Sequence, residues 1–226
     1  MEKQERWYVE NLPLRGEKIV DVGANVGKFS QLFWDQGARK NEVISVEPIA
    51  ENIKAIEARI RASKAGNKWT VKKCAVSAHN GQLALRPLRA AWGLNSMVPL
   101  NDEGERIQVA CRKLESIAPD ATVVKVDVEG HEYAFLPQAL AAMPNVKAWA
   151  LELHQVDDQP LERTLQMLVD YGYRLVGAGA KRTDPDGPWV NVDVTPAWTW
   201  ADIPGVATLR DGLPSTFKML HVLALR

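Results

Sequence analysis

Apolar residues along the chain follow two rhythms. Short runs of strand length, rich in β-branched residues, occur at Lys18 to Val22, Val43 to Val46, Trp69 to Cys74, Thr122 to Val128 and Val146 to Leu153. Between them, apolar positions recur three or four residues apart. Val26, Phe29, Leu32 and Phe33 form one such set, and Ile49, Ile53, Ile56 and Ile60 another. Phe135, Leu136, Ala139, Leu140 and Met143 make a third, and Leu161, Leu165 and Leu168 a fourth. This spacing predicts helices with one buried face, and Glu51, Lys54, Glu57 and Arg61 fall on the solvated side of the second. The first helix ends near Gly37, Glu47-Pro48 stops the second strand, and Tyr171-Gly172 closes the last helix before a sixth strand, Tyr173 to Val176.

Strands alternating with helices predict a mostly parallel sheet covered on both faces. The rhythm changes over 78–113. His79-Asn80-Gly81 signals a turn, 82–87 and 107–111 alternate like antiparallel strands, and Trp92 to Met97 reads as a loop, giving a small β insertion after the third strand. Residues 1–16 read as a leader in which Trp7, Tyr8, Val9 and Leu12 pack a helical turn onto the domain. Residues 178–215, rich in proline, glycine and tryptophan, show no period. His221 to Leu225 is a closing strand, antiparallel because no helix separates it from the sixth.

The length of 226 residues suits one α/β domain. Lysine plus arginine and aspartate plus glutamate balance at 28 each, so overall charge points neither to nucleic acid nor to an anionic membrane. Cys74 and Cys111 lie too far apart for a metal or redox pair and read as buried thiols. No apolar run reaches membrane-spanning length, and the charged start Met1 to Arg6 lacks the apolar core of a signal peptide, so a cytoplasmic protein is expected.

The stretch Val20-Asp21-Val22-Gly23-Ala24-Asn25-Val26-Gly27 joins the first strand to the first helix. A glycine turn of this kind lets backbone approach a ligand, and the helix start offers unpaired N–H groups to an anion. Asn25 and Lys28 occupy the second and third glycine positions of a dinucleotide fingerprint, and Phe29 follows Gly27-Lys28 where a phosphate-binding loop needs serine or threonine. Both readings therefore fail, which weighs against a nicotinamide-dependent enzyme. Glu47, at the end of the second strand, is placed to accept hydrogen bonds from ribose hydroxyls.

At Lys125-Val126-Asp127-Val128-Glu129-Gly130-His131-Glu132 the chain resembles the FkbM family of methyltransferases. The resemblance takes in the glycine turn, Val46-Glu47-Pro48, Ala75-Val76-Ser77 before Gly81, Leu94 to Met97, and Glu152-x-His154. It implies a Rossmann-like class I methyltransferase fold with an antiparallel last strand. It also implies S-adenosyl-L-methionine as cofactor and methyl transfer, mostly to hydroxyl oxygen, on a small-molecule, glycan or lipid-type acceptor. By this resemblance Asp21 meets the cofactor's ammonium group and Gly23, Ala24, Asn25 and Gly27 its carboxylate, with Phe29 at the helix start. Glu47 and Pro48 flank the ribose, Ala75 and Val76 lie along the adenine, and Asp127 closes the pocket. A fold that binds cofactor or a partner without catalysis, or methylation of another acceptor class such as nucleic acid, is the alternative reading.

A hydroxyl acceptor must lose a proton. Asp127, Glu129, His131, Glu152 and His154 stand at strand carboxyl ends, and only histidine titrates unperturbed near neutrality. His154 is the expected base, with Glu152 or Glu129 positioning the acceptor. Asp127, Glu129 and His154 match no known metal-cage spacing, so no metal is expected. The loop 92–97 and Trp189, Trp198 and Trp200 are expected to cover the acceptor.

Overall fold

The computed structural model describes residues 8–87, 106–154, 161–182 and 217–226, together with the short strands at 95–96, 189–190 and 198–199. Thirteen strands are labelled here in chain order. They are β1 (Lys18–Val22), β2 (Glu42–Val46), β3 (Trp69–Lys72), β4 (Ala75–Val76), β5 (Gly81–Pro87), β6 (Asn95–Ser96) and β7 (Ile107–Arg112), then β8 (Val123–Val126), β9 (Ala148–His154), β10 (Arg174–Arg182), β11 (Trp189–Val190), β12 (Trp198–Thr199) and β13 (Phe217–Leu225). The helices are α1 (Lys28–Gln36), α2 (Ala50–Ser63), α3 (Leu114–Ile117), α4 (Glu132–Ala142) and α5 (Leu161–Asp170). A helical turn at 8–11 precedes β1.

The main sheet has the order β11-β10-β13-β9-β8-β1-β2-β3, with β12 also pairing β10. From β3 across to β9 every pairing is parallel. The closing strand β13 inserts antiparallel between β9 and β10, as its sequence position predicts. The predicted insertion is a second, four-stranded sheet, β4-β7-β5-β6, in which β5 and β7 are antiparallel. Its own core is Ile49, Ala75, Leu85, Val109 and Cys111. Both cysteines are free and buried.

Period-two alternation assigns each strand residue to a face. One face carries Val20, Val22, Ile44, Val124, Val126, Trp149, Leu151 and Val222 against Phe135, Leu136 and Leu140 of α4 and Leu165 and Leu168 of α5. The other carries Ile19, Val43, Val123, Ala148, Ala150 and Leu223 against Phe33 and Trp34 of α1, Ile56 of α2 and Tyr8 of the first helical turn. Tyr8 and Leu12 are thus core residues, as the leader's pattern predicts. Among the described residues no helix is long and apolar enough to cross a membrane.

Two expectations change. β10 runs to Arg182, six residues past the predicted end at Val176, because it pairs with β13 along that length. Trp189 and Trp198 belong to two-residue strands that pair β10, but their side chains, Trp200 and the loop 92–94 lie outside the described residues.

Candidate active site

The second face turns polar toward the carboxyl ends of the parallel strands. There β1 passes into the glycine turn. Gly23 and Gly27 adopt φ of 76° and 81°. A Cβ built on Gly23 would stand 1.7 Å from the Asp127 carbonyl oxygen, so no other residue fits against the end of β8 without moving it. The N–H groups of Gly23 and Ala24 both donate to the Val46 carbonyl at 3.1 Å. Helix α1 starts at Gly27 with no side-chain cap, leaving its first-turn donors for an anionic group. Phe29, half-buried in that turn, packs edge-on against Tyr8.

Glu47 is bound into this turn. Its Oε2 accepts the Asn25 N–H at 2.9 Å, and its Oε1 accepts the Ile49 N–H at 3.0 Å and the Asn52 amide at 3.2 Å. Burial raises its pKa, opposed by these three hydrogen bonds. One carboxylate thus holds the glycine turn to the end of β2, with Pro48 half-buried beside it. Ala75 and Val76 are both buried in β4, at the join of the two sheets.

Beneath the turn, Asp21 lies in register with Ser45 on β2 and Lys125 on β8, so the three share a face. Trp69 Nε1–H donates to Ser45 Oγ at 2.8 Å, Ser45 lies 2.7 Å from Ser30 Oγ, and Ser30 donates to Asp21 Oδ2 at 2.6 Å. Lys125 Nζ sits 3.5 Å from Asp21 Oδ1, 3.3 Å from Asp127 Oδ2 and 4.6 Å from the centre of the Phe29 ring. Burial would lower its pKa, but the charges of Asp127 and Asp21 carry it above the usual lysine value. Asp127 falls below the usual range because Lys125 outweighs the effect of burial. Asp21 is 0% exposed, and its Oδ1 has no hydrogen-bond partner among the described residues.

Toward β9 the polar row becomes a cluster. His154 N–H and Nδ1 lie 2.6 and 3.2 Å from Glu132 Oε1, while Glu132 Oε2 accepts the Gly130 N–H at 2.9 Å. Glu132 is 0% exposed and fixes the imidazole plane. The other ring nitrogen, Nε2, stands 3.3 Å from Glu129 Oε2 and 3.7 Å from Glu152 Oε1. Burial would lower the His154 pKa, but Glu129 and Glu132 hold it up at about 11. Burial and the charge of Asp127 push Glu152 up to about 8, and burial raises Glu129. Glu129 also carries a positive φ of 54°, a strained backbone for a residue with a side chain.

His221 pairs with Glu152 across β13 and β9, with Nδ1 3.7 Å from Glu152 Oε2. Burial lowers its pKa to about 4, so the ring is neutral. Tyr8 donates its hydroxyl to the Leu151 carbonyl at 3.1 Å, which leaves His221 Nδ1–H to donate to Tyr8 Oη at 2.8 Å. His131 stands apart, its Nε2 3.4 Å from Ser77 Oγ.

The structure therefore brings Asp127, Glu129, Glu152 and His154 together beside the glycine turn. Four participants go beyond the sequence reading: Lys125, Glu132, Tyr8 and His221. Lys125 alone left a signal, a lone charge in an otherwise apolar strand.

The family model for the methyltransferase FkbM domain matches residues 21–175. The chain is similar to the methyltransferase FkbM structure from Methylobacillus flagellatus KT, at 20% identity and a TM-score of 0.55, over 92% of this chain and 43% of that one. It thus spans less than half the length of that protein. Streptococcus pneumoniae Sp1610, solved in complex with S-adenosyl-L-methionine, matches at 11% identity and a TM-score of 0.53, over 100% of this chain and 73% of that one. An S-adenosylmethionine-dependent O-methyltransferase from Thermotoga maritima matches at 12% identity and 0.52, over 99% and 64%. At these identities the likenesses establish the fold. Comparison by sequence with curated proteins finds no significant match.

Proposed function

The chain belongs to the FkbM methyltransferase family, and on that premise we propose that it methylates a hydroxyl oxygen of a small-molecule, glycan or lipid-type acceptor, using S-adenosyl-L-methionine. The observation that carries this reading is the adjacency of the glycine turn and the carboxylate–imidazole cluster. Asp127 belongs to both: its carbonyl oxygen faces Gly23, and its side chain opens the cluster.

The glycine turn and the uncapped start of α1 suit the cofactor's carboxylate, and Glu47 suits its ribose through the one lone-pair position that its three donors leave open. When bound, the cofactor supplies a methyl group on a sulfonium; the chain's residues orient the acceptor and take its proton. The chain would hold the acceptor oxygen in line with the methyl carbon, to which that oxygen would bond while the carbon–sulfur pair stays on sulfur. His154 faces carboxylates on both ring nitrogens and positions its neighbours. The acceptor's proton goes to Glu129, which follows β8 with a φ of 54° and stands 3.3 Å from His154 Nε2.

Screening candidate acceptors with labelled methyl donor tests the activity. Against an accepted substrate, Glu129→Gln is expected to lower kcat by roughly 10²–10⁴-fold, the usual worth of a positioned base, with S-adenosylhomocysteine affinity within twofold of wild type. A wild-type kcat in this variant would remove Glu129 from the role. Glu47→Ala is expected to weaken S-adenosylhomocysteine by roughly 10- to 100-fold, because a hydrogen bond to a charged group is worth about 1.5–3 kcal/mol. A calorimetric change below threefold would restrict Glu47 to fastening the turn.

A further inference from the structure

We propose that Asp127, Glu152 and His154 form a binding site for one divalent cation, which polarises the acceptor hydroxyl. One ligand atom from each of the three lies within 4.8 Å of the others. Ligand oxygen and nitrogen sit about 2.0–2.2 Å from such a cation, so three ligands around it stand about 3–4 Å from one another. His154 Nε2 and Glu152 Oε1, 3.7 Å apart, already have that spacing, and Asp127 completes the set by a shift of up to about 1 Å.

Three independent features support the site. The first is the orientation of His154. Its Nδ1 faces the wholly buried carboxylate of Glu132, an arrangement that fixes the ring and turns Nε2 toward a metal in carboxylate–histidine–metal sites. That Nε2 atom has no accessible surface and no aligned hydrogen bond, although two carboxylates lie within 3.7 Å. The second is charge. Asp21, Asp127, Glu129, Glu132 and Glu152 gather around Lys125 and His154, so even a protonated histidine leaves carboxylates in excess. Lys125 engages Asp127 through Oδ2 at 3.3 Å, and the second oxygen remains for a ligand bond. The third is His221, 3% exposed and in register with Glu152, whose Nδ1 stands 3.7 Å from Glu152 Oε2 and closes the cluster on the β13 side. Binding the cation displaces the proton from His154 Nε2, and that nitrogen with the carboxylate oxygens is a ligand set for a dication.

Two carboxylates and an imidazole suit manganese, iron, cobalt or zinc better than the all-oxygen preference of magnesium or calcium. The cation lowers the pKa of the hydroxyl whose oxygen it contacts. The proton passes to Glu129, the oxygen bonds to the methyl carbon, and the carbon–sulfur pair stays on sulfur. This inference rests on the methyl-transfer reading for its purpose, but the site itself can be tested without turnover.

The test is titration of the chelator-treated full chain with manganese(II), followed by calorimetry and by the loss of the free-ion paramagnetic resonance signal. One bound ion per chain is expected. Asp127→Asn and His154→Gln are each expected to weaken it at least tenfold, with circular dichroism confirming the fold. S-adenosyl-L-methionine and manganese are expected to bind together. If the chain binds S-adenosyl-L-methionine but no manganese, the site is refuted while the methyltransferase reading stands. Mutual exclusion of manganese and S-adenosyl-L-methionine also refutes it, since the cluster would then serve the cofactor's own positive charge. Should a variant fail to fold, anomalous diffraction at the manganese edge from wild-type crystals decides the matter: a peak among Asp127, Glu152 and His154 supports the site, and a peak elsewhere or none overturns it.

Discussion

Gly23→Ala is expected to destabilise the protein by about 2–5 kcal/mol, whereas Gly16→Ala costs only about 1–2 kcal/mol. Both glycines have left-handed backbones, with φ of 76° and 77°. A side chain at either position therefore bears the same conformational penalty, about 1–2 kcal/mol. What differs is the neighbourhood. A Cβ at Gly16 meets nothing within 4 Å, while one at Gly23 overlaps the Asp127 carbonyl oxygen at 1.7 Å. That oxygen belongs to backbone at the end of a central strand, where Asp127 N–H is itself bonded to the Val22 carbonyl at 3.0 Å. The clash can be relieved only by spreading β1 from β8, an overpacking cost of about 1–3 kcal/mol. Denaturant unfolding of the two variants checks the difference. The displaced strand end also carries Asp127 away from the cluster, so S-adenosylhomocysteine affinity and turnover are expected to fall together in Gly23→Ala alone. Equal destabilisation by the two substitutions would mean that the turn adapts without moving Asp127.

The legibility of this site varied with the range of the interactions involved. The strand–turn–helix from Lys18 to Gln36 was readable because its signals are local: a β-branched run, two glycines and a helical stripe. The antiparallel placement of β13 followed from the missing helix before it. Asp21 was readable as part of the turn but not in its partners, because the residues that engage it, Ser30 and Lys125, are brought in by α1 and by a strand far along the chain. His154 was readable as a lone titratable group near neutrality, and the expectation that it acts as base followed. Its partner Glu132 stands at the start of α4, and only the parallel packing of β8 beside β9 brings the two together. The extra length of β10 was hidden by composition. Gly177 to Ala180 is a glycine–alanine run of poor strand propensity, and pairing with β13 imposes the extended backbone on it.

Lys125→Met is expected to destabilise the chain by about 3–5 kcal/mol, although methionine fills a similar volume and suits an apolar strand. Lys125 is 3% exposed and stands between two carboxylates, at 3.5 Å from Asp21 and 3.3 Å from Asp127. Removing one member of a buried ion pair leaves the other charge without compensation, and that residual cost, not the pair's own worth, sets the magnitude. The same reasoning predicts partial rescue. Asp21→Asn in the Lys125→Met background removes one stranded charge and keeps an acceptor for Ser30, so the double variant should be more stable than Lys125→Met alone. A double-mutant cycle by denaturant unfolding measures the coupling, expected to lie within about 0.5–3 kcal/mol. Simple additivity would show that Lys125 acts independently of Asp21, through Asp127 and its ammonium over the Phe29 ring. The functional consequence comes from where the ammonium sits. Asp21 belongs to the strand that feeds the glycine turn, and Asp127 opens the cluster at the end of β8. Lys125 ties them together and so holds the glycine turn and the carboxylate–imidazole cluster at a fixed separation. In-line transfer depends on that separation, since a displacement of about 1 Å at the reacting atoms can cost 10²-fold in rate. Lys125→Met is therefore expected to lose turnover beyond the fraction that has unfolded, measured well below its melting temperature, while Asp21→Asn in that background restores stability more than it restores rate.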